Sequence, residues 1–109
     1  MKQISLVLAL AISSFLSTAC TENSNDIWID VRTQEEWDSG HLEEAIHIPH
    51  EEIAARISEV TSNKDATIHL YCRSGGRAGR AKSALEAIGF TNVVNDGGYE
   101  DIMKNRQEQ

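Results

Sequence analysis

Short apolar runs alternate along this chain with stretches whose apolar residues recur at helical spacing. The runs at 27–31, 45–48, 67–71 and 92–94 are short and rich in β-branched residues, which predicts strands. Helices are predicted at 34–39, 50–60, 78–88 and 99–105, and a turn is predicted at 95–98. Strands that alternate with helices predict one α/β domain, a small and mainly parallel sheet flanked by helices.

The strand at 67–71 is apolar enough to be central in such a sheet, and it leads directly into Cys72. A glycine-rich loop follows, and then the helix at 78–88 begins. Open α/β sheets bind ligands at the carboxyl ends of their strands. The first N–H groups of a helix have no internal partner and carry the positive end of its dipole. We therefore expect the pKa of Cys72 to lie below the ordinary thiol value of about 8.5.

The loop that follows Cys72 contains flexible glycines and positively charged arginines. Gly75 and Gly76 can adopt positive φ at little cost, which would let N–H groups turn inward. Arg73, Arg77 and Arg80 surround the loop, and the loop itself contains no carboxylate. We therefore expect the anion to come from outside, although Arg80 equally fits a solvated helix residue. The alternative is a buried structural cysteine before a tight turn.

The first residues have the composition of an export signal. Residues 1–19 combine Lys2, an apolar stretch and small residues before Cys20. Residues 16–20 resemble the lipobox of bacterial lipoproteins, although Ser17 stands where an aliphatic residue is usual. We expect an acylated Cys20, a polar tether at 20–26, and a periplasmic protein anchored to the membrane by its lipid. Ordinary signal cleavage before Cys20 is the competing interpretation.

Charge and cysteine count narrow the function further. Removal of residues 1–19 leaves nine basic and 17 acidic residues, a formal charge of −8. This disfavours nucleic acid and anionic membrane surfaces as partners, so contact with a membrane is expected only through the lipid. The only cysteines are Cys20 and Cys72, and a disulfide between them would consume the reactive thiol.

Three motifs in order resemble signatures of the rhodanese family of sulfurtransferases, and the resemblance covers 27–109. The motifs are Ile29-Asp30-Val31-Arg32 with Glu36-Trp37, Gly40-His41-Leu42 and Ala45-Ile46-His47-Ile48-Pro49; Tyr71-Cys72-Arg73-Ser74-Gly75-Gly76-Arg77; and Gly97-Gly98-Tyr99. Size and export signal are closest to the small periplasmic thiosulfate sulfurtransferases of the phage-shock type. The sequence departs from the family pattern at three positions. Glu44 stands where glycine is usual, Ile102 where many members have tryptophan, and Ala78 where serine is frequent.

The resemblance implies sulfur transfer through a persulfide on Cys72. The thiolate takes the sulfane sulfur of a small anionic donor such as thiosulfate and passes it to cyanide or a thiol, a protein thiol included. Main-chain N–H groups of 73–77, which include Ser74, Gly75 and Gly76, would stabilise the persulfide as an oxyanion hole does. Arg77 is the first expected contact of the donor's sulfonate, and Arg73 the second.

Other polar residues fit structural roles. We expect Asp30 and Arg32 to hold the end of the first strand, in a place where the family has them near the active site. His41 is expected to tie down the loop after Gly40, and Trp28 and Trp37 are expected to pack. The remaining histidines lack ligand spacing, so neither metal nor cofactor is expected. They are His47, His50 and His69.

Three rival functions remain at this point. A cysteine phosphatase or arsenate reductase has five residues between cysteine and arginine, whereas four separate Cys72 from Arg77 and the next position is Ala78. A non-catalytic rhodanese-like module or sulfur carrier is the second alternative, although inactive modules usually lack the cysteine. A thiol redox role is weaker, because no second cysteine lies near Cys72 to resolve a disulfide.

Overall fold

The structure, a computed structural model, describes residues 26–108. Its strands are β1 (Ile27–Asp30), β2 (Ile46–His47), β3 (Ile68–Cys72) and β4 (Val93–Gly98). Its α-helices are α1 (Gln34–Asp38), α2 (Ile53–Arg56), α3 (Gly76–Ala87) and α4 (Tyr99–Gln107). The predictions for 1–19 and for acylation of Cys20 fall outside the described residues.

The four strands form one parallel sheet in the order β2-β1-β3-β4. Ile68 of β3 pairs with Ile27 on one side and with Val93 on the other. The strand that ends at Cys72 therefore has a hydrogen-bonded neighbour on each side, as its apolar sequence predicted. This confirms the predicted α/β class.

Alternation along the strands separates two faces of the sheet. Ile29, Ile68 and Leu70 point to a face that α2 and α3 cover, and all three are fully buried. Cys72 belongs to the same cluster, so its side chain points toward α3. Tyr71 faces the other way and lies against Tyr99 at the start of α4, with the ring centroids 5.9 Å apart.

The segment predicted as one helix at 50–60 is broken into three pieces. Short 3₁₀ turns, His50–Glu52 and Ile57–Glu59, flank α2. Pro49 precedes the first turn and offers no side-chain cap for the free N–H groups, so this end lacks the support that favours regular α-helix. Ile53 and Ile57 are nevertheless both buried, so the broken segment still packs its apolar residues into the core.

The prediction of a turn at 95–98 is wrong. These residues continue β4, with Asn95 opposite Leu70 and Gly98 opposite Cys72. Asn-Asp-Gly-Gly has the composition of a turn, yet pairing with β3 supplies the ladder and a register shift absorbs the irregularity. Gly97, with φ of 87°, provides the left-handed conformation there.

Candidate active site

Cys72 lies where the central strand ends, and its side chain is buried beneath the first turn of α3. The N–H group of Gly75 donates to Cys72 Sγ at 2.9 Å. Burial raises the pKa of the Cys72 thiol, but hydrogen bonds from the main-chain N–H groups of Ala78, Ser74, Gly75 and Arg77 lower it by more. The pKa is therefore below its ordinary value, as predicted. We call this ring of main-chain donors the thiolate cradle.

The cradle takes its shape from glycines and from β4. Gly75 adopts a φ of 101° at the N-cap of α3, a conformation that favours glycine. A Cβ on Gly98 would collide with the Arg73 carbonyl, so the loop can lie against β4 only where the strand has no side chain. Asn95 Nδ2 donates to the Gly75 carbonyl at 2.9 Å, and Asn95 Oδ1 accepts from the N–H of Gly97 at 2.9 Å. The closing Gly-Gly motif therefore supports the cysteine loop.

Asp30 and Arg32 form an ion pair at the end of β1, where they were expected to hold the strand. The Arg32 guanidinium donates to both carboxylate oxygens of Asp30, at 2.7–3.0 Å, and to the Gly40 carbonyl at 2.6 Å. Its Cζ also lies 4.6 Å from the ring centroid of Tyr99. Both side chains are buried, so this pair fixes the loop after β1 beside the site.

Arg77 has a carboxylate partner that the sequence did not reveal. Its two terminal nitrogens donate to the two oxygens of Glu36 at 2.7 and 3.0 Å. Hydrogen bonding to Arg77, aided by Thr33 and opposed by burial, lowers the pKa of Glu36 to about 2. The expectation that the anion near the loop arginines comes only from outside is therefore wrong for Arg77. The partners lie 41 residues apart, and no local pattern marks them.

A cavity of about 300 Å³ opens beside the cysteine loop. Its lining comprises Arg32, Glu36, Ser39, Arg73, Tyr99 and Glu100. Arg73 is exposed there, whereas the guanidinium of Arg32 is already engaged by Asp30. The space is open to solvent and holds charges of both signs, which suits small polar reactants.

Other predicted residues have structural surroundings. His41 stacks on Trp37 with centroids 3.4 Å apart, and its Nδ1 donates to the Leu42 carbonyl at 2.9 Å, as expected for a loop anchor. Trp28 stacks on His69 at 4.2 Å, on the sheet face away from the cradle. Arg80 is an exposed residue of α3, in keeping with the solvated alternative.

The three departures from the family pattern are accommodated locally. Glu44 pairs with Arg106 at 2.6 Å, which joins the turn before β2 to the end of α4. Ala78 is fully buried and directs its main-chain N–H toward Cys72, a contact that needs no hydroxyl. Ile102, where tryptophan is common, is half-buried on α4.

In the range of residues 26–108, no group of three or more His, Cys, Asp or Glu side chains is arranged to hold a metal ion. No helix within it has the length and apolarity needed to cross a bilayer.

Known proteins resemble this chain in sequence and in fold. Residues 16–105 match the model of the rhodanese-like domain. Thiosulfate sulfurtransferase PspE of Escherichia coli is 38% identical over 88% of this chain and 88% of its own length. A solved structure, described as a rhodanese with anions from E. coli, is 39% identical, covers 70% of this chain and 89% of its own, and superimposes with a TM-score of 0.67.

A second kind of relative is much longer. The tRNA uridine(34) hydroxylase of Photorhabdus laumondii subsp. laumondii is 30% identical over 81% of this chain, but only 26% of its own length is covered. The shared part is thus one domain of a larger protein. Together with the cysteine loop and the parallel sheet, these matches show that the chain belongs to the rhodanese-like family and is a sulfurtransferase enzyme.

Proposed function

We propose that this protein transfers sulfane sulfur from thiosulfate, or a similar small anionic donor, to cyanide or a thiol through a persulfide on Cys72. In the first step the Cys72 thiolate attacks the outer sulfur of thiosulfate. A bond forms between Sγ and that sulfur, the sulfur–sulfur bond of the donor breaks, and its electron pair leaves with sulfite. The enzyme then carries one additional sulfur and one negative charge.

The second step reverses the roles of nucleophile and leaving group. The acceptor, cyanide or a thiolate, attacks the terminal sulfur of the persulfide. The bond to Sγ breaks, and its electron pair restores the Cys72 thiolate. The products are thiocyanate or a new persulfide on the acceptor, and no oxidant, metal or cofactor enters the balance.

The thiolate cradle is the observation that carries this proposal. Both resting enzyme and intermediate hold an anion at one buried point, and the N–H of Gly75 donates to Cys72 Sγ at 2.9 Å. Main-chain donors are fixed in place, so they need no reorganisation when the charge moves to the outer sulfur.

The donor's sulfonate end needs a cationic partner. Because Arg77 is engaged in an ion pair, another arginine is better placed to supply that charge. We assign Arg73 ahead of Arg77, because Arg73 is exposed beside the cavity while both terminal nitrogens of Arg77 are bound to Glu36. This reverses the order expected from sequence. A charge-assisted contact with one arginine is sufficient to orient a small dianion.

The same geometry argues against a phosphatase or arsenate reductase. Such chemistry needs an arginine directed at the tetrahedral oxyanion above the thiolate. Arg77 comes one residue too early for that spacing, and its guanidinium is held by Glu36. Retention of Cys72 within the cradle equally argues against a module that only binds.

The cell compartment and the acceptor belong to the same proposal. We propose export by residues 1–19 and acylation of Cys20, so that the tether at 20–26 holds the domain at a membrane. The cavity beside Arg73 is open, which admits cyanide, small thiols or an exposed cysteine of a protein.

Mass spectrometry of the intact protein tests both parts. After thiosulfate treatment the mass should rise by one sulfur atom on Cys72, and cyanide should remove it with formation of thiocyanate. Cys72→Ser is the control and should remain unchanged by thiosulfate while keeping its fold. A wild-type protein that gains no sulfur, or a Cys72→Ser protein that still forms thiocyanate, would refute the assignment.

The same spectrum examines the N-terminus. Protein recovered from the membrane fraction should begin at Cys20 and carry the added mass of acyl groups, and Cys20→Ser should release it to the soluble fraction. A mature protein that begins at Cys20 without added mass would exclude the lipid anchor and leave the sulfur chemistry untouched.

A further inference from the structure

The Glu36–Arg77 ion pair joins α1 to the first turn of α3. Both partners are about three-quarters shielded from solvent, with relative side-chain exposures of 25% and 22%. Two parallel donations, at 2.7 and 3.0 Å, fix the orientation of the guanidinium. The helix α3 has a separate anchor on the sheet in its buried residues Ala78, Ala81 and Leu85.

Glu36 is itself held in place before it meets the arginine. It closes a capping box with Thr33, whose N–H donates to Glu36 Oε1 at 3.0 Å, while the N–H of Glu36 donates to Thr33 Oγ1 at 3.2 Å. The carboxylate is therefore presented to Arg77 by a rigid helix start. Moving Arg77 elsewhere would break two charge-assisted hydrogen bonds.

Arg77 lies beside the thiolate cradle, where its positive charge would strengthen the binding of an anion. The main-chain N–H of Arg77 is one of the four groups that lower the pKa of Cys72, so Arg77 is itself part of the cradle. The guanidinium is near enough to the site that its pKa is raised first by Glu36 and then also by the Cys72 thiolate. Released from Glu36, this side chain would add a forked cation to the ring of main-chain donors.

We propose that Glu36 is a specificity-determining residue: by engaging Arg77 it withholds the guanidinium from the thiolate cradle and excludes phosphate-like oxyanions. A cradle of main-chain donors holds one sulfur anion without further help, whereas a tetrahedral oxyanion, which has several acceptor oxygens, gains affinity from the added fork of an arginine. The proposal rests on the sulfurtransferase function, because it explains how this site avoids inhibition by common oxyanions. The predicted exclusion of phosphate, however, is testable by a binding measurement that does not require sulfur transfer.

The test is protection of Cys72 from iodoacetamide by inorganic phosphate, measured in proteins that also carry Cys20→Ser. Glu36→Gln keeps an oxygen for the Thr33 cap but removes the charge that holds Arg77. It should bind phosphate roughly tenfold more tightly than the parent protein, the scale of one charge-assisted contact. Glu35→Gln changes net charge equally on the same helix at an exposed position and should leave phosphate protection unchanged.

A double variant separates specificity from simple support of the fold. Adding Arg77→Gln to Glu36→Gln should return phosphate affinity to the parent value, because the released guanidinium is the proposed ligand. If Glu36→Gln gains no affinity, or if the gain persists without Arg77, the proposal is wrong. A loss of sulfur transfer with no gain in phosphate binding would likewise show that Glu36 merely supports the fold.

Arg77→Gln alone provides a second route should Glu36→Gln fail to fold. Because the Arg77 guanidinium is already bound to Glu36, this variant should change phosphate affinity by less than about twofold. A loss of phosphate affinity of about tenfold would show that Arg77 already contacts the bound oxyanion in the parent protein and would refute the proposal. Absence of sulfur transfer in the parent protein would instead refute the proposed function, and the phosphate measurements would still stand.

Discussion

Two charged sites lie along the same central strand and are built in different ways. At the end of β3 the Cys72 thiolate is held by main-chain donors, with the N–H of Gly75 at 2.9 Å. Three residues earlier, on the other face of the sheet, the imidazole of His69 is held by two carboxylate side chains. Its Nδ1 lies 2.7 Å from an oxygen of Asp96 and its Nε2 lies 2.9 Å from an oxygen of Asp26.

The two kinds of contact suit different roles, catalysis at Cys72 and structural support at His69. Main-chain N–H groups cannot lose a proton, and they keep their positions when charge moves from one sulfur to another. Side-chain pairs depend on protonation and on the rotamers of both partners, and they mainly hold elements together. Asp26 immediately precedes β1 and Asp96 lies in β4, so the His69 cluster joins the two neighbours of the central strand.

The largest effect should come from adding one methyl group behind the cradle. In Gly98→Ala the new Cβ would meet the Arg73 carbonyl, and we expect a loss of about 2–3 kcal/mol in the free energy of unfolding together with most of the activity. Gly76→Ala is the matched control, because nothing lies within 4 Å of its Cβ and its φ is not positive. Urea denaturation and thiocyanate formation measure both, and equal behaviour of the two variants would contradict this view of the loop.

That contrast between the glycines also shows what the sequence can reveal. Cys72 and its pKa direction follow from local features, a strand that leads into glycines and a helix start, so they were predictable. Gly98 was recognisable only as part of a motif, since its reason is the carbonyl of Arg73 packed against it from another element. The pair of Glu36 with Arg77 was missed because it forms only when α1 and α3 meet.

The central position of β3 was also predictable from a local feature of the sequence. A run of apolar residues reports burial on both sides, and this placed 67–71 at the centre of the sheet. The strand at Val93–Gly98 was shortened in prediction because Asn, Asp and Gly favour turns locally. Pairing with β3 outweighs that preference, and only the fold supplies the partner.

Acid should break the side-chain contacts near the cradle before it affects the main-chain donors. The pKa of Glu36 is about 2 in the folded protein against an ordinary 4.5, so the Arg77 pair stabilises the fold fully above pH 4.5 and loses that contribution as pH falls toward 2. We expect a loss of roughly 2 kcal/mol over that range, allowing for partial exposure of the pair. Urea unfolding of the parent and of Glu36→Gln at several pH values measures it.

Glu44 provides the control for this acid sensitivity. Its pair with Arg106 lowers its pKa in the same direction, but both side chains are more than two-fifths exposed. Glu44→Gln should therefore remove much less of the acid dependence than Glu36→Gln does. If both variants reduce the pH dependence of the free energy of unfolding equally, the Glu36–Arg77 pair contributes no more to stability than the exposed pair does.

The smallest effect is expected at the His69 cluster. His69→Ala removes the stack on Trp28 and two hydrogen bonds to carboxylates, and should lower the free energy of unfolding by about 1–2 kcal/mol. The rate of sulfur transfer at saturating thiosulfate should stay within about twofold, because the cluster lies on the far face of the sheet. His50→Ala, which loses a contact with the exposed Glu51, is the control. A large loss of rate in folded His69→Ala would contradict the division between the two sites.

The most direct test is the pKa of Cys72 itself, measured from the pH dependence of iodoacetamide alkylation in Cys20→Ser protein, where Cys72 is the only thiol. Hydrogen bonds from main-chain N–H groups predict ionisation below the ordinary thiol value of about 8.5. A pKa at or above that value would mean that burial dominates, and the cradle would then have no role in holding the sulfur anion.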